Sequence, residues 1–137
     1  MASESPNAAA GPRRSTRQQD AIRAAIAAAK RPLSVQELHV AAEREVPGLG
    51  VSTVYRALRR LEDDGDITPV NIPGQPDRYE LAEVAAQHHH HFHCTRCDRV
   101  YDVDACPGNL QQMLPEGFVL EDHELTLKGV CPRCRKN

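Results

Sequence analysis

The chain has 137 residues, with 17 lysines and arginines against 19 aspartates and glutamates, and it contains five cysteines and seven histidines. That length suits one ordinary domain or two small ones, and no apolar run approaches the ~20 residues that span a bilayer. Residues 1–60 carry ten basic against five acidic residues, net +5, whereas residues 61–137 carry seven against fourteen, net −7. We therefore expect a polyanion partner for the first half, cations for the second, and no membrane.

The first half predicts a tail and then three helices. Residues 1–12 are small, contain proline and glycine and lack periodicity, which predicts a disordered tail. Apolar residues at helical spacing predict a first helix that ends before a proline. Ser34 with Glu37 three residues later is a capping box and opens a second helix. Ser52 begins a third helix, and Gly65 is its C-terminal stop.

The second and third helices predict a DNA-binding unit. They are joined by a short turn containing glycine, and the outer face of the third helix is basic, which is typical of a helix-turn-helix that offers its second helix to the major groove. A basic arm precedes the first helix and is available for phosphates, although a solvated helix end is an equal alternative.

Beyond the third helix the pattern changes to short β-type runs. ITPVNI and RYEL flank a Pro/Gly turn and predict a hairpin, which makes residues 13–81 a winged helix-turn-helix domain. Arg78 is the basic residue with which this wing could touch DNA. Residues 82–87 are interpreted as a hinge. Residues 88–137 then form a second domain, with strands at HHFHC and VYDV, a short helix before Pro115, and one long strand or a strand pair at FVLEDHELTLKG.

Two Cys-x-x-Cys pairs lie in this second domain, Cys94 with Cys97 and Cys131 with Cys134. Four soft thiolates at this spacing are the ligands that tetrahedral Zn²⁺ prefers, and we interpret them as a closed structural zinc site. Two unrelated pairs or two short-loop disulfides are the alternative, but a disulfide between residues three apart is strained. The thiols and the lack of a visible signal peptide favour the reducing cytoplasm. Cys106 has no thiol nearby in sequence and is interpreted as a packing residue rather than a redox sensor.

Five histidines occupy the six positions directly before the first cysteine pair. Side chains alternate along an extended strand, so three would lie on one face and two on the other: His89, His91 and His93 against His88 and His90. One strand could therefore serve two metal sites separate from the thiolates. An expression tag is an alternative, but tags sit at termini and a phenylalanine interrupts this run. A solvated polar strand is the remaining alternative.

Two other classes of protein compete with a DNA-binding one. A zinc hydrolase would use the histidines as an open catalytic site with a metal-bound water. No HExxH motif accompanies them, and a hydrolase leaves the basic helix-turn-helix unexplained. A metal-storage or zinc-ribbon interaction protein is the second competitor. We expect no enzymatic activity, and metal-dependent, sequence-specific DNA binding would separate a repressor from both competitors.

The motifs together resemble the ferric uptake regulator (Fur) superfamily of bacterial metal-sensing repressors, from about Arg13 to Cys134. The matching pieces are STVYRALRRLEDDG, RYEL, HHHHFHCTRCDRVYDV and HELTLKGVCPRC. The resemblance implies an α+β protein with an N-terminal winged helix-turn-helix and a small α/β dimerisation domain that holds the structural four-cysteine zinc site. It also implies a homodimer on a palindromic double-stranded DNA operator, with metal binding near the hinge setting the DNA-reading heads.

The resemblance implies two further metal sites and a set of DNA contacts. The regulatory site falls on Glu80, His89, His91 and Asp102, and the second site on His88, His90 and His123. The resemblance assigns Tyr55 and Arg56 to DNA reading. Together with the basic arm and the outer face and start of the third helix, the candidate DNA-binding residues are Arg14, Arg17, Ser52, Thr53, Tyr55, Arg56, Arg59 and Arg60. Imidazole plus carboxylate suits Fe²⁺, Mn²⁺, Zn²⁺ or Ni²⁺, and ligands on both sides of a hinge let metal change inter-domain geometry.

The chain departs from the family pattern at several positions. Pro32 stands where the family has an extra histidine before the second helix, and no carboxylate lies near Asn109 to complete the second site. Zinc-uptake members carry a cysteine near the wing end, where Ala82 stands, and peroxide sensors use an aspartate where Glu80 stands. Elimination favours an iron-responsive regulator, with response to zinc, manganese, nickel or peroxide as the alternatives.

Overall fold

The structure, a computed structural model, describes the backbone of residues 13–136 and the side chains from Arg17 onward. The predicted tail at residues 1–12, the side chain of Arg14 and the last residue of the chain lie outside the described residues. The elements are helices α1 (Arg13–Ala29), α2 (Val35–Glu43) and α3 (Val51–Asp63), strands β1 (Ile67–Val70) and β2 (Arg78–Leu81), the one-turn helix α4 (Ala82–Ala85), strands β3 (His90–Cys94) and β4 (Val100–Val103), a 3₁₀ turn (Leu110–Met113), strand β5 (Thr126–Gly129) and the one-turn helix α5 (Pro132–Arg135).

The first three helices enclose the larger hydrophobic core. Each helix places apolar residues three and four positions apart, so that one stripe faces its neighbours. The inward residues of α3 are those expected from its sequence, and the core residues of the helices are Ala21, Ile22, Ile26, Leu38, Ala42, Val54, Ala57, Leu58 and Leu61. The stripe on α3 leaves the opposite, arginine-bearing face toward solvent.

Local sequence signals set the ends of these helices. The capping box of α2 is formed, because the Glu37 amide donates to Ser34 Oγ at 3.1 Å and the Ser34 amide donates to Glu37 Oε1 at 3.0 Å. Helix α3 starts at Val51, one residue before the predicted Ser52. It ends in a Schellman motif, in which Gly65 adopts a φ of 81° and donates its amide to the Glu62 carbonyl at 3.0 Å. A glycine tolerates that left-handed conformation without steric cost.

Strands β1 and β2 form the wing as an antiparallel pair with Ile67 opposite Leu81. Leu33 and Tyr79 exchange backbone hydrogen bonds of 3.0 and 2.9 Å, which fasten the wing to the helical unit. Arg78 does not serve as the basic tip of the wing, because its side chain is buried. Its guanidinium donates to the carbonyls of Pro76 and Asp98, both at 2.7 Å, and so is held inside the molecule away from any DNA phosphate.

The second half of the chain is built on a three-stranded sheet in the order β4-β3-β5. Strand β3 pairs antiparallel with β4 and parallel with β5. The expectation of one long strand or a strand pair over residues 118–129 was wrong, since only β5 is extended and paired. Next to β5, the Leu125 carbonyl accepts from the His91 amide of β3 at 3.2 Å. Residues 118–124 have no strand pairing among the described residues, and a strand needs a hydrogen-bonded neighbour to form.

The wing packs directly on the second sheet. Val70 and Ile72 of the wing and Val100 of β4 form a small buried cluster. The predicted hinge at residues 82–87 holds the single turn α4, whose first amide donates to the Asp66 carbonyl at 2.9 Å. These contacts bring the end of β2 beside β3 and β4. No helix among residues 13–136 is long and apolar enough to cross a membrane.

Candidate metal centres and DNA-binding face

The four cysteines of the two Cys-x-x-Cys pairs converge at one end of the sheet. Cys94 ends β3, Cys97 lies in the following turn, and Cys131 and Cys134 flank the start of α5. Their sulfurs all lie within 4.8 Å of one another, and Cys97 Sγ is 3.8 Å from Cys131 Sγ. Tetrahedral Zn²⁺ with bonds of ~2.3 Å holds its sulfurs about 3.8 Å apart. The geometry thus fits one shared zinc ion and not two disulfides, since all four cysteines are free.

The surroundings of these four sulfurs lower the pKa of some of the thiols and raise the pKa of others. The backbone N–H of Cys97 stabilises the Cys94 thiolate and lowers its pKa to about 6, whereas burial raises the pKa of Cys134 to about 12. The Tyr101 hydroxyl donates to the Cys131 thiolate and lowers the pKa of that thiol. A bound Zn²⁺ offsets the repulsion among four thiolates and holds them all deprotonated.

The hinge site is the cluster of Glu80, His89, His91 and Asp102, which come from β2, the segment before β3, β3 and β4. One oxygen or nitrogen of each lies within 4.8 Å of the others. Glu80 Oε1 is 3.2 Å from His89 Nε2 and 3.5 Å from His91 Nε2. Asp102 Oδ1 is 3.6 Å from both imidazole nitrogens. A tetrahedral ion with bonds of ~2.1 Å separates its ligand atoms by about 3.4 Å, so the residues fit a small divalent cation.

Two polar atoms of the hinge site are buried but make no hydrogen bond within the described chain. His91 Nε2 and Asp102 Oδ1 are buried without a hydrogen-bond partner, and buried polar atoms are costly unless something satisfies them. Burial and the neighbouring Glu80 carboxylate raise the pKa of Asp102. A divalent cation would satisfy both orphaned atoms and neutralise the two carboxylates.

His93 does not join the hinge site, although it was expected on the same face of β3 as His89 and His91. Its side chain is buried, and its Nε2 lies 3.1 Å from Asp98 Oδ1 in the turn after Cys97. His93 lies two residues beyond His91, roughly 7 Å further along the strand, and the sheet twists as it runs. His93 therefore belongs to the surroundings of the thiolate site.

A second histidine cluster lies on the other face of β3. His88, His90 and His123 come together as the resemblance implies, and the fourth member is Cys106. Cys106 is exposed, which corrects its interpretation as a packing residue. Cys106 lies three residues before Asn109, close to the place where the family has a carboxylate as the fourth ligand. A thiol can also ligate a metal, so the sequence did contain a signal for a fourth ligand here. Burial, followed by the neighbouring imidazoles of His88 and His123, lowers the pKa of His90 and so favours a neutral, ligating ring.

The outer face of α3 carries the candidate DNA-binding residues. Tyr55 is 55% exposed, and Arg56 donates from its guanidinium to Thr53 Oγ1 at 3.0 Å. Ser52, Arg59 and Arg60 are also exposed. Arg17 of α1 is exposed and lies 3.4 Å from the Glu45 carbonyl. The exposed arginines of α3 and of α1 are the side chains available to base edges and phosphates, and their contacts with DNA stay a prediction.

A helix-turn-helix with a wing, joined to a sheet that gathers three sets of metal ligands, defines a metal-responsive DNA-binding regulator. The sequence profile of the ferric uptake regulator family matches residues 11–128, and the chain belongs to that family. It is 33% identical over 109 residues to the ferric uptake regulation protein of Bordetella parapertussis (strain 12822), covering 77% of this chain and 77% of the relative. The expected α+β fold class is confirmed.

Solved structures of similar fold include regulators of different named responses. A zinc-bound manganese uptake regulator matches with a TM-score of 0.71 at 27% identity, covering 83% of this chain and 87% of the other. The Campylobacter jejuni peroxide stress regulator matches with a TM-score of 0.59 at 23% identity, covering 88% of this chain and 91% of the other. At 23% identity the second likeness shows the fold alone. The family match makes the chain a metal-responsive regulator, and the metal to which it responds is not determined by these neighbours.

Proposed function

We propose that the chain represses metal-homeostasis genes as a homodimer on a palindromic DNA operator, with Fe²⁺ at the hinge site as its activating ion. The observation that carries this proposal is the origin of the four ligands. Glu80 belongs to the wing, whereas His89, His91 and Asp102 belong to the second domain and its approach. An ion bound by all four residues fastens the DNA-reading wing to the second domain. If the ion binds the DNA-competent arrangement of the two domains more tightly than the alternative, it shifts the protein toward that arrangement.

The donor set supports Fe²⁺ over softer ions. Two imidazoles and two carboxylates without a thiolate suit Fe²⁺ and Mn²⁺, whereas a thiolate would favour zinc. Zinc, manganese and nickel bind such ligands as well, so the metal that the cell supplies decides among them. A peroxide response is the further alternative within the family.

Operator binding across a metal panel tests the proposal. The DNA upstream of the chain's own gene is titrated with protein that holds its structural zinc, with Fe²⁺, Mn²⁺, Zn²⁺ or Ni²⁺ added anaerobically. Ni²⁺ and Zn²⁺ bind nitrogen and oxygen ligands more tightly than Fe²⁺, so each metal is buffered at the free concentration that the cell maintains, and under these conditions we expect Fe²⁺ to raise operator affinity the most. Glu80→Gln should remove that gain, while Glu83→Gln, a matched change on the exposed face of α4, should retain it. The assignment of Fe²⁺ would be refuted if another metal raised the operator affinity more than Fe²⁺ does. It would also be refuted if Fe²⁺ failed to raise the affinity of both the parent and Glu83→Gln.

Arg56→Ala should weaken specific operator binding without affecting folding. Arg56 is exposed, and its contact with Thr53 orients the guanidinium along the outer face of α3. A bidentate contact with a guanine edge is worth ~1–3 kcal/mol. Competition binding to operator and random DNA at matched salt measures the loss; equal losses on both sequences would indicate a phosphate contact, and no loss would remove Arg56 from the interface.

The homodimer is supported by apolar side chains that the second half leaves in solvent. Phe118 is 60% exposed, Val119 80% and Leu127 50%; Phe118 and Val119 are neighbours in sequence, and a contiguous exposed apolar surface is one that a protein partner covers. Phe118→Asp should dissociate the dimer, because a carboxylate is costly to bury without a partner. Sedimentation measures the mass, with Val40→Asp, an exposed apolar position in α2, as the matched control. Equal dimer mass in both variants would place the interface elsewhere.

Metal activation should weaken as the pH falls. Burial alone opposes the charge on His89, but the Gln87 carbonyl and the Glu80 and Asp102 carboxylates outweigh it and raise the pKa of His89 above 6.5. The protonated ring therefore stabilises the metal-free fold fully below pH 6.5, and this contribution is lost as the pH rises through the raised pKa. A metal must displace that proton, so its affinity should drop by up to about tenfold per pH unit below the raised pKa. Metal titrations over a pH series measure this drop in affinity. A metal affinity that does not change with pH would contradict the prediction.

A further inference from the structure

Four potential ligand atoms converge in the cluster on the second face of β3. Cys106 Sγ lies 3.2 Å from His88 Nε2, 3.3 Å from His90 Nε2 and 3.1 Å from His123 Nε2. A thiol is a weak acceptor and a weak donor with a single proton, so at least two of the three rings would have to donate from Nε2 to the sulfur if hydrogen bonds alone held this arrangement. His90 is only 2% exposed, so its nitrogen is aimed at the sulfur from the interior and not from solvent.

The same geometry fits a metal ion. A tetrahedral ion with ~2.3 Å bonds to sulfur and ~2.1 Å bonds to nitrogen places these atoms about 3.6 Å apart. The observed sulfur-to-nitrogen distances of 3.1 to 3.3 Å are about 0.3 to 0.5 Å shorter, so a small outward movement of the side chains would admit the ion. All three imidazoles present Nε2 to the centre, and their ring centroids are 4.7 to 5.0 Å apart.

We propose that Cys106 is a thiolate ligand and that His88, His90, His123 and Cys106 bind a borderline divalent ion such as Zn²⁺ or Co²⁺. One thiolate with three imidazoles favours these ions over Mn²⁺, which prefers oxygen. The hinge site has no sulfur, so the two faces of β3 present different chemistries, and the second centre holds whether or not Fe²⁺ acts at the hinge. Cys106 follows β4 and His123 precedes β5, so the ion fastens the two irregular segments around residues 104–109 and 118–125 to the sheet.

Cobalt spectroscopy of the full chain tests this centre. Protein with its structural zinc in place receives Co²⁺, and thiolate-to-cobalt charge transfer is followed while retained zinc is measured. We expect a charge-transfer band in the parent, its loss in Cys106→Ser and its retention in Asp104→Ser, a neighbouring exposed change. Cys106→Asp, which restores a carboxylate, should bind Co²⁺ without the band. In the parent protein, added Zn²⁺ should also protect the Cys106 thiol from reaction with an alkylating reagent.

These measurements test the second metal centre independently of the proposed regulatory role of the hinge site. A band that persists in Cys106→Ser would show that cobalt had entered the four-cysteine site and would overturn the assignment, as would a parent without a band. A His89→Ala, Asp102→Ala variant should keep the band, because the hinge site contributes no sulfur. If that variant loses its metal-activated DNA binding but keeps the band, both assignments stand. If the parent responds to Fe²⁺ on DNA yet shows no band, only the second centre fails.

Discussion

Cys94→Ser or Cys131→Ser should abolish zinc retention and unfold the second half of the chain. Both cysteines are almost fully buried, at 0% and 1% exposed, and a serine leaves the ion three thiolates and a weak fourth ligand. The second half has few other buried apolar residues to stabilise it. Structural Zn²⁺ contributes on the order of 10–16 kcal/mol in small zinc peptides, which is comparable with the ~5–15 kcal/mol stability of a whole ordinary domain.

Zinc content after removal of loosely bound metal, amide hydrogen exchange and dimer mass measure this effect together. Exchange protection should disappear from β3 to α5 and persist in the helices α1 to α3, which have their own core. Cys106→Ser is the matched control, because it removes a thiol outside the four-cysteine cluster and should keep the tightly bound zinc of that cluster and the exchange protection of β3. Unchanged zinc content and mass in Cys94→Ser would show that the four-cysteine assignment is wrong.

Features carried by short sequence signals could be predicted before the structure. The capping box at Ser34, the stop at Gly65 and the apolar stripe of α3 each depend on residues within about one helical turn of each other. The alternation of histidines along β3 follows from strand geometry alone. Such signals located the helix-turn-helix and the strand that bears the metal ligands.

Features that depend on distant contacts could not be predicted in this way. Arg78 is buried because a carbonyl twenty residues later, at Asp98, accepts its hydrogen bond. Cys106 meets His123 only because β4 and β5 flank the same strand. The extent of β5 depends on where its neighbour ends, and an alternating pattern does not contain that information.

Strand β3 explains why one short segment supplies three ligand sets. Side chains alternate along it and its approach, so that His89 and His91 face the wing, whereas His88 and His90 face the other side. Cys94 ends the strand and enters the thiolate cluster. The zinc site holds β3 and β5 in register, and that register positions the histidines for both other clusters. A loss of zinc should therefore disturb all three, whereas changes at the hinge site should remain local.

Replacing both His89 and Asp102 by alanine should abolish metal activation of DNA binding while it preserves the structural zinc, the fold and the dimer. The two residues contribute half of the hinge ligands, and Asp102 Oδ1 is one of the buried atoms that an ion would satisfy. Without them Glu80 of the wing is no longer bound to the second domain through a shared ion. Allosteric coupling of this kind changes affinity by about 5- to 150-fold, and the variant should lose that whole gain.

Operator titrations of the double variant with and without Fe²⁺ or Mn²⁺ measure this loss, after one retained zinc per chain has been established. Asp104→Ala, an exposed carboxylate two residues beyond the site, should respond like the parent. Because a ligand shifts an equilibrium only by its differential affinity for the two states, a variant that binds no hinge metal but still responds must sense metal elsewhere. That result would move the sensor to the cluster of His88, His90 and His123, where Cys106→Ser would then be the variant that abolishes the response.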